Sequence, residues 1–394
     1  MADEPNDAAP GPDQGARDPE RAPDAHREEP RLAEGIPVRV RRRRKRRTRW
    51  QRFKAWVADH KALSILIGLM ATLLVVLLAW LWWLHSQVDE VTRFPLDVDD
   101  RPPRVPGDQV NLLVLGVDDL DYQREVGPDV YEMLERGEWE KGAFRSDTMM
   151  VVHIEAGSRA AQVVSVPRDS WVDIPGHGRS KINAAFSWGG PELSVATVEQ
   201  NFDLRIDHVM VVDFGGFTDV TDAVGGVDIT FPTEMKADDT GRTWSAGTHR
   251  LTGEEALFYT RQRYDLPRGD FDRIQRQQNY LRALLDRVVS RGTLFNPLKV
   301  SKLADELSDL IAVDDSLTNG KLRDLALDAR HLRSGDIRFV TLPNSGSGMV
   351  GDASVVKVQQ ARARKMFEAL QHDQFESWYA HHEIDELPAP DRVD

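Results

Sequence analysis

Residues 111–118 read NLLVLGVD, an unbroken apolar run that stops on an acidic side chain. A run without polar alternation suits a strand buried on both faces, so it predicts a central sheet rather than a strand with one wet face. Two further runs follow, Thr148 to Ile154 and Gln162 to Pro167, joined by the short turn EAGSRA. A connection this short permits an antiparallel hairpin and forbids a crossover. The open ends of the hairpin then coincide: Arg145 and Asp147 enter its first strand where Arg168 and Asp169 leave its second. If 111–117 runs parallel to 162–167, Asp118 joins them at the same sheet edge.

Outward from this hairpin, the next strand candidate is His208 to Phe214 (HVMVVDF), with Asp213 near its end. It follows a helix begun by Pro191 and Glu192, both favourable in a first turn. This rhythm predicts an α/β domain, a central mixed β-sheet flanked by helices. Ligands of open α/β sheets collect beyond strand ends, where these charges fall. A helix from Asp270 to Arg291 would carry Ile274, Leu281, Leu284, Leu285 and Val288 on one stripe. Asp270, Arg273 and Gln277 fall on or beside that stripe, and inward charges need partners. Arg273 can pair locally with Asp270 at i+3, or both can belong to an anion site at the helix amino terminus. Arg276 lies on the same helix, and Arg261 and Arg263, two apart in TRQR, would point the same way from an extended backbone. Taken singly, each is an ordinary strand-end or surface residue. Gathered at one edge of an acidic domain, they predict a phosphate-rich ligand, because the guanidinium fork matches phosphate oxygens in geometry and charge. Residues 293–370 read as two helices, a strand and a helix (298–310, 318–331, 337–342, 355–370) on the same domain, with fraying after Gln371.

From Ala62 to Leu84 the chain runs 23 residues without a charge, enough to cross roughly 30 Å of hydrocarbon at about 1.5 Å per residue. Trp80, Trp82 and Trp83 cluster at one end, and eleven basic residues with no acidic one lie between Arg39 and Lys54 on the other. This predicts a single transmembrane helix, a cytoplasmic amino terminus and an outer domain on the far side of the plasma membrane. A cleaved leader is the competing reading, but it would be overlong and no small-residue cleavage site follows Leu84. The organisation expected is a disordered tail (1–61), the span (62–84), a linker (85–107), the outer domain (108–371) and a terminal tail (372–394). The tail holds 16 basic and 11 acidic groups, whereas 85–394 holds 35 and 53, a net charge near −18. The basic run beside a span fits topology and anionic lipid better than nucleic acid, and no helix-turn-helix signal precedes Ala62.

The chain contains no Cys, which excludes disulfides, thiolate metal sites and cysteine nucleophiles. Its eleven His show no metal-ligand spacing, and Ser165 and Ser170 have no evident His partner.

These residues sit in text that resembles the LytR-CpsA-Psr family of bacterial cell-wall proteins over roughly 108–290. The matching segments are NLLVLGVD, RSDTMMVVHI, VSVPRDSWVDIPG, KINAAFSWGGPEL, VDFGGFTDVTDAVGGVDI, and LTGEEALFYTRQR followed by DFDRIQRQQ. The resemblance implies transfer of a glycopolymer from a polyprenyl diphosphate carrier to peptidoglycan, making a phosphodiester, with pyrophosphatase activity as a side reaction. It implies that Asp118 and Asp147 hold Mg²⁺ (or Mn²⁺) and that Arg145, Arg168, Arg261 and Arg263 clamp the diphosphate. Arg273, Arg276 and Gln277, with Asp270, Lys181 and Asp213, become further head-group contacts. An apolar lipid tunnel between sheet and helices is also implied. The stretch Leu120 to Phe144 is an insertion, either a lid or a surface excursion. A non-catalytic polyprenyl-phosphate-binding module is the alternative, which two carboxylates beside a diphosphate disfavour unless a cation lies between them.

Overall fold

The computed structural model describes residues 91–118, 129–157, 160–213, 217–236, 242–262, 266–288, 302–303, 306, 308, 310–329 and 332–393. The expected span at 62–84 and the tail before it lie outside these residues, as does Arg263. Among the described residues no helix is long and apolar enough to cross a membrane.

The strands are β1 (Thr92–Phe94), β2 (Val110–Asp118), β3 (Arg145–Ile154), β4 (Ala161–Val166), β5 (Trp171–Ile174), β6 (Gly178–Lys181), β7 (His208–Asp213), β8 (Val227–Phe231), β9 (Met235–Lys236), β10 (Thr243–Trp244), β11 (Gly247–Leu251), β12 (Ile311–Asp314), β13 (Ile337–Thr341), β14 (Asn344–Val350) and β15 (Ala353–Val358). Seven of them build the central sheet in the order β1-β12-β7-β2-β3-β4-β13. The pairs β2–β3 and β3–β4 are antiparallel, while β2–β7 and β4–β13 are parallel. The sheet is therefore mixed, and β2 does run parallel to β4, across β3.

Alternation along the strands decides what covers each face. Leu113, Leu115, Val151, Val164, Val209 and Val211 pack with Ala185, Phe186, Val195, Val198 and Phe202 of the helix Asn183–Phe202, and with Met366 and Phe367 of the helix Gln360–Gln371. Met150, Val163 and Phe339 point the other way, toward Leu281 and Leu285 of the helix Asp270–Val288. Each buried side chain of this size stabilises the fold by roughly 1.5–3 kcal/mol over exposure. The helix Asn183–Phe202 is broken at Gly189 and Gly190, where Gly190 has φ 61°, and Pro191 opens its second segment as expected. A Cβ at Gly190 would lie 2.9 Å from the Trp139 ring, so glycine admits that indole.

Several boundaries differ from the sequence reading. The stretch expected as a linker supplies edge strand β1, with Phe94 buried, and Arg101 pairs with the buried Glu199 at 2.8 Å. The expected terminal tail is packed, with Phe375 and Val393 each 1% exposed and the Leu387 amide donating to the Phe339 carbonyl. Scattered aromatic residues showing no clear period hid this anchoring from a pattern search. Val355 begins no helix, because the β-branched ASVVKV pairs with β14 as a strand. The four residues of β12 were likewise too short a run to read as a sheet member.

His153 on β3 is fully buried, and its Nδ1–H donates to the Asn111 Oδ1 at 2.7 Å while Nε2 has no hydrogen-bond partner. Burial lowers its pKa from 6.5 to about 4. The unfolded chain then binds the proton first as pH falls, so stability present above pH 6.5 drains away between pH 6.5 and about 4. The loss expected is about 3 kcal/mol. Urea midpoints against pH should fall over that window for the native chain, and His153→Gln should flatten the fall.

Candidate functional site

The register of three strands builds the site. Asp118 at the end of β2 pairs with Arg145 at the start of β3, and Val117 pairs with Asp213 at the end of β7. Met149 pairs with Val166, which leaves Asp147 and Arg168, two residues further out on each strand, facing one another. Arg168 donates from one terminal nitrogen to Asp147 Oδ1 at 2.7 Å, and its other terminal nitrogen lies 3.8 Å from Asp270 Oδ1. Asp270 is also 2.8 Å from Arg273, so the local i+3 pair forms. The loop after β4 is held from below: the Ile182 amide donates to the Ser170 carbonyl at 2.8 Å, and the Asn183 amide to the Arg168 carbonyl at 3.2 Å. Lys181, ending β6, is 2.9 Å from Asp169.

Five of these charged groups line a cleft of about 560 Å³ with two chemically distinct parts. One is charged, formed by Arg145, Asp147, Arg168, Asp169 and Lys181. The other is uncharged, formed by Ser180, Asn183, Ala184, Ser187 and Trp188. Burial alone would weaken the Arg168 charge, but its hydrogen bond to Asp147 and the charges of Asp147, Asp270 and Asp169 raise its pKa above the ordinary guanidinium value. It stays cationic at any pH the protein meets. Arg145 is exposed in the cleft and makes no ion pair with a described residue. Arg168 Nε, Ser170 Oγ and Asp270 Oδ2 are buried without hydrogen-bond partners, a concentration of unmet polar capacity that a bound anion or cation would satisfy.

Asp118, Arg145, Asp147, Arg168 and Asp213 thus share one end of the sheet by position, with Lys181, Asp270 and Arg273 joined to it through their ion pairs. Asp213, Asp270, Arg273, Arg276, Gln277 and Arg261 do not line this cleft. Arg276 is buried, bonded to Gln262 at 3.0 Å and set 5.3 Å over the Tyr259 ring. Arg261 ends the helix Gly253–Arg261 and is exposed, so TRQR is not extended at that point. The capping box from Thr252 to Glu255 starts that helix, and its nine residues carry through Arg261. Asp213 is placed by its backbone, whose N–H donates to the Tyr131 hydroxyl at 3.0 Å. Burial, then the Asp213 charge, pushes the Tyr131 phenol upward, so it remains protonated.

The residues missed from sequence are those of the uncharged half. Trp188 and Asn183 stand in the motif KINAAFSWGG, but neutral side chains carried no charge signal. The described part of the insertion, from 129 to 144, packs on the rim. Trp139 meets Phe186 edge-on at 4.8 Å, and Lys141 lies 5.2 Å over the Trp188 ring, which also stacks with His177 at 5.1 Å.

Fold and site together define an α/β domain with an arginine- and lysine-lined cleft at one end of a mixed sheet. The LytR_cpsA_psr family model matches residues 88–372, and the chain belongs to this family. It is 32% identical over 261 residues to the cell wall biosynthesis protein LcpA of Corynebacterium glutamicum, covering 59% of this chain and 49% of that one. It is 40% identical over 190 residues to the polyisoprenyl-teichoic acid–peptidoglycan teichoic acid transferase TagU of Bacillus cereus, covering 48% and 54%. The chain therefore spans about half the length of these curated relatives. A solved structure of TagT bound to LIIa-WTA superposes with a TM-score of 0.54 at 25% identity, over 72% of this chain and 99% of that one.

Proposed function

We propose that this chain is a membrane-anchored phosphotransferase that moves a glycopolymer from a polyprenyl diphosphate carrier to peptidoglycan. The observation that carries the reading is the two-part cleft. Its guanidinium and ammonium groups suit a diphosphate, and the adjoining Asn183, Ser180 and Trp188 offer the amide, hydroxyl and aromatic surfaces a phosphate-linked sugar requires. The names of TagU and of the TagT complex support the same ligand class. The 62–84 stretch supplies the anchor, placing the described domain outside the cell.

A divalent cation fits the donor set. Asp147 gives one oxygen to Arg168, and Asp118 stands across from Arg145 at the same strand ends. Among the described residues no cluster of three or more His, Cys, Asp or Glu side chains could hold a metal alone. Mg²⁺ suits such a site, since it is commonly held by one or two carboxylates with phosphate oxygens and water completing the shell. Asp118 and Asp147 would hold it, and bound there it neutralises charge on the diphosphate.

The residues of the chain then bind and orient. Arg168, cationic and backed by Asp147 and Asp270, grips non-bridging oxygens in a fixed direction, and Arg145 and Lys181 close on them from either side. The acceptor hydroxyl oxygen bonds to the sugar-linked phosphorus as the anhydride P–O bond breaks. Polyprenyl phosphate leaves with the electron pair, and the hydroxyl proton passes to a carboxylate at the sheet edge, Asp118 or Asp213.

The deciding experiment supplies the full chain with a lipid-linked donor and peptidoglycan and follows phosphodiester formation. EDTA is expected to abolish transfer and added Mg²⁺ to restore it. Tight donor binding with no transfer and no release of phosphate under any metal would instead identify a binding module.

A further inference from the structure

Two apolar side chains stand out where solvent is expected. Met349 is 60% exposed and Val350 39%, at the tip of the β14–β15 hairpin. The topology fixes where that tip lies. β13 runs parallel to β4 toward Arg168, and the Leu342 amide donates to the Ser165 carbonyl before the chain enters β14. On the return strand, the Val356 amide donates to the Asp169 carbonyl at 2.8 Å, and Val356 bridges to Ser170 in parallel. β5 runs away from the cleft from that point, so the hairpin tip, three residues before Val356, stands beyond the cleft by roughly 10 Å at about 3.3 Å per residue.

The opposite edge of the sheet gives a second, independent bearing. Thr92 of β1 pairs with Ala312, Ile311 pairs with Val212, and Asp213 pairs with Val117. The chain therefore enters β1 at the same end of the sheet as the site. The uncharged run stops at Leu84, eight residues before Thr92, which span at most roughly 28 Å when extended. β1 and β13 are the two edges of a seven-stranded sheet, roughly 29 Å apart at about 4.8 Å per strand, and the site strands β2, β3 and β4 lie between them.

We propose that Met349 and Val350 enter the interface of a lipid bilayer and hold the cleft at headgroup depth, with the chain entry at Thr92 at one corner of the sheet and this tip at the other. The proposal rests on the membrane-anchored reading given above. It names a function for the hairpin: the carrier's diphosphate stays at the bilayer surface, and the cleft is brought to it. The tip sequence, NSGSGMVGD, has no basic residue of its own, and the Lys357 side chain packs beside Gly348 behind it, so the contact made by Met349 and Val350 themselves is apolar.

The absence of cysteine makes the test clean. Met349→Cys, and as control Gly335→Cys at the opposite end of the sheet, are each labelled with an environment-sensitive fluorophore in the full chain and reconstituted in phosphatidylcholine vesicles. Emission at 349 is expected to shift to the blue, to be quenched by lipids bearing a shallow nitroxide, and to resist aqueous iodide about tenfold better than the control. Water-like emission with equal iodide quenching at both positions overturns the proposal. A blue shift that nitroxide lipids leave untouched also overturns it, since the tip would then be covered by protein. A second arm uses Met349→Asp with Val350→Asp, which should raise KM about tenfold for a glycopolymer-bearing polyprenyl diphosphate embedded in a bilayer while leaving phosphate release from soluble geranyl diphosphate unchanged. Equal loss with both donors overturns the tip's role. Because the fluorescence needs no turnover, a native chain that transfers nothing from the glycopolymer-bearing donor refutes the transferase reading and leaves the depth measurement to decide the tip.

Discussion

Replacing Arg168 with alanine is expected to lower kcat/KM for glycopolymer transfer by about 10²–10³, equivalent to roughly 2.7–4 kcal/mol of barrier, the range found on deleting one preorganised oxyanion donor. Three features concentrate the effect in this residue. Its side chain is only 18% exposed, it is aimed by Asp147 at 2.7 Å, and its loop is pinned by the amides of Ile182 and Asn183. Arg168→Lys should recover little, because an ammonium cannot hold Asp147, reach toward Asp270 and present a second donor at once. The measurement is initial-rate transfer from a lipid-linked donor, paired with thermal unfolding to separate chemistry from folding. Asp147 and Asp270 remain about a quarter exposed, so losing their cation should cost little stability. Full transfer by both variants would remove Arg168 from the site.

The largest stability effect away from the cleft is expected at Arg101→Ala. Glu199, in the last turn of the helix Asn183–Phe202, is 3% exposed and accepts from Arg101 at 2.8 Å and from the Ile206 amide at 2.9 Å. Removing the guanidinium leaves a buried carboxylate with one amide donor, a change that costs about 3–5 kcal/mol in comparable buried pairs. Urea unfolding of the full chain checks it. The double variant Arg101→Ala, Glu199→Gln should recover much of the loss, since the charge is then gone. A shift under about 0.5 kcal/mol would mean that this pair behaves as a surface bridge.

How far the sequence speaks depends on the range of the signal. The continuous apolar runs at 111–117, 148–154 and 162–167 have a two-faced burial requirement that only a central sheet meets, and EAGSRA left the hairpin one geometry. From those facts the meeting of Asp118, Arg145, Asp147 and Arg168 follows by register. The helix Asp270–Val288 was legible for the same reason, through its period. The positions of Arg261 and Arg276 were not legible, because text in a motif does not say which way its helix turns a residue, and the structure sets Arg276 over Tyr259 and leaves Arg261 at an exposed helix end. Trp188 and Asn183 were invisible because neutral residues gain meaning only from what stands beside them.

By itself, then, the amino-acid order determined what local periodicity and chain connectivity can determine: sheet against helix, which strand ends meet, and the acidic domain that makes clustered arginines costly without an anion. Tertiary structure alone decided that 92–94 and 311–314 complete the sheet, that residues beyond 371 are packed, and that one end of the sheet carries the cleft, the chain entry and an exposed Met–Val tip together. The reason is that these depend on contacts between segments tens to hundreds of residues apart, whose free energy is set by shape and burial and leaves no repeat in the sequence.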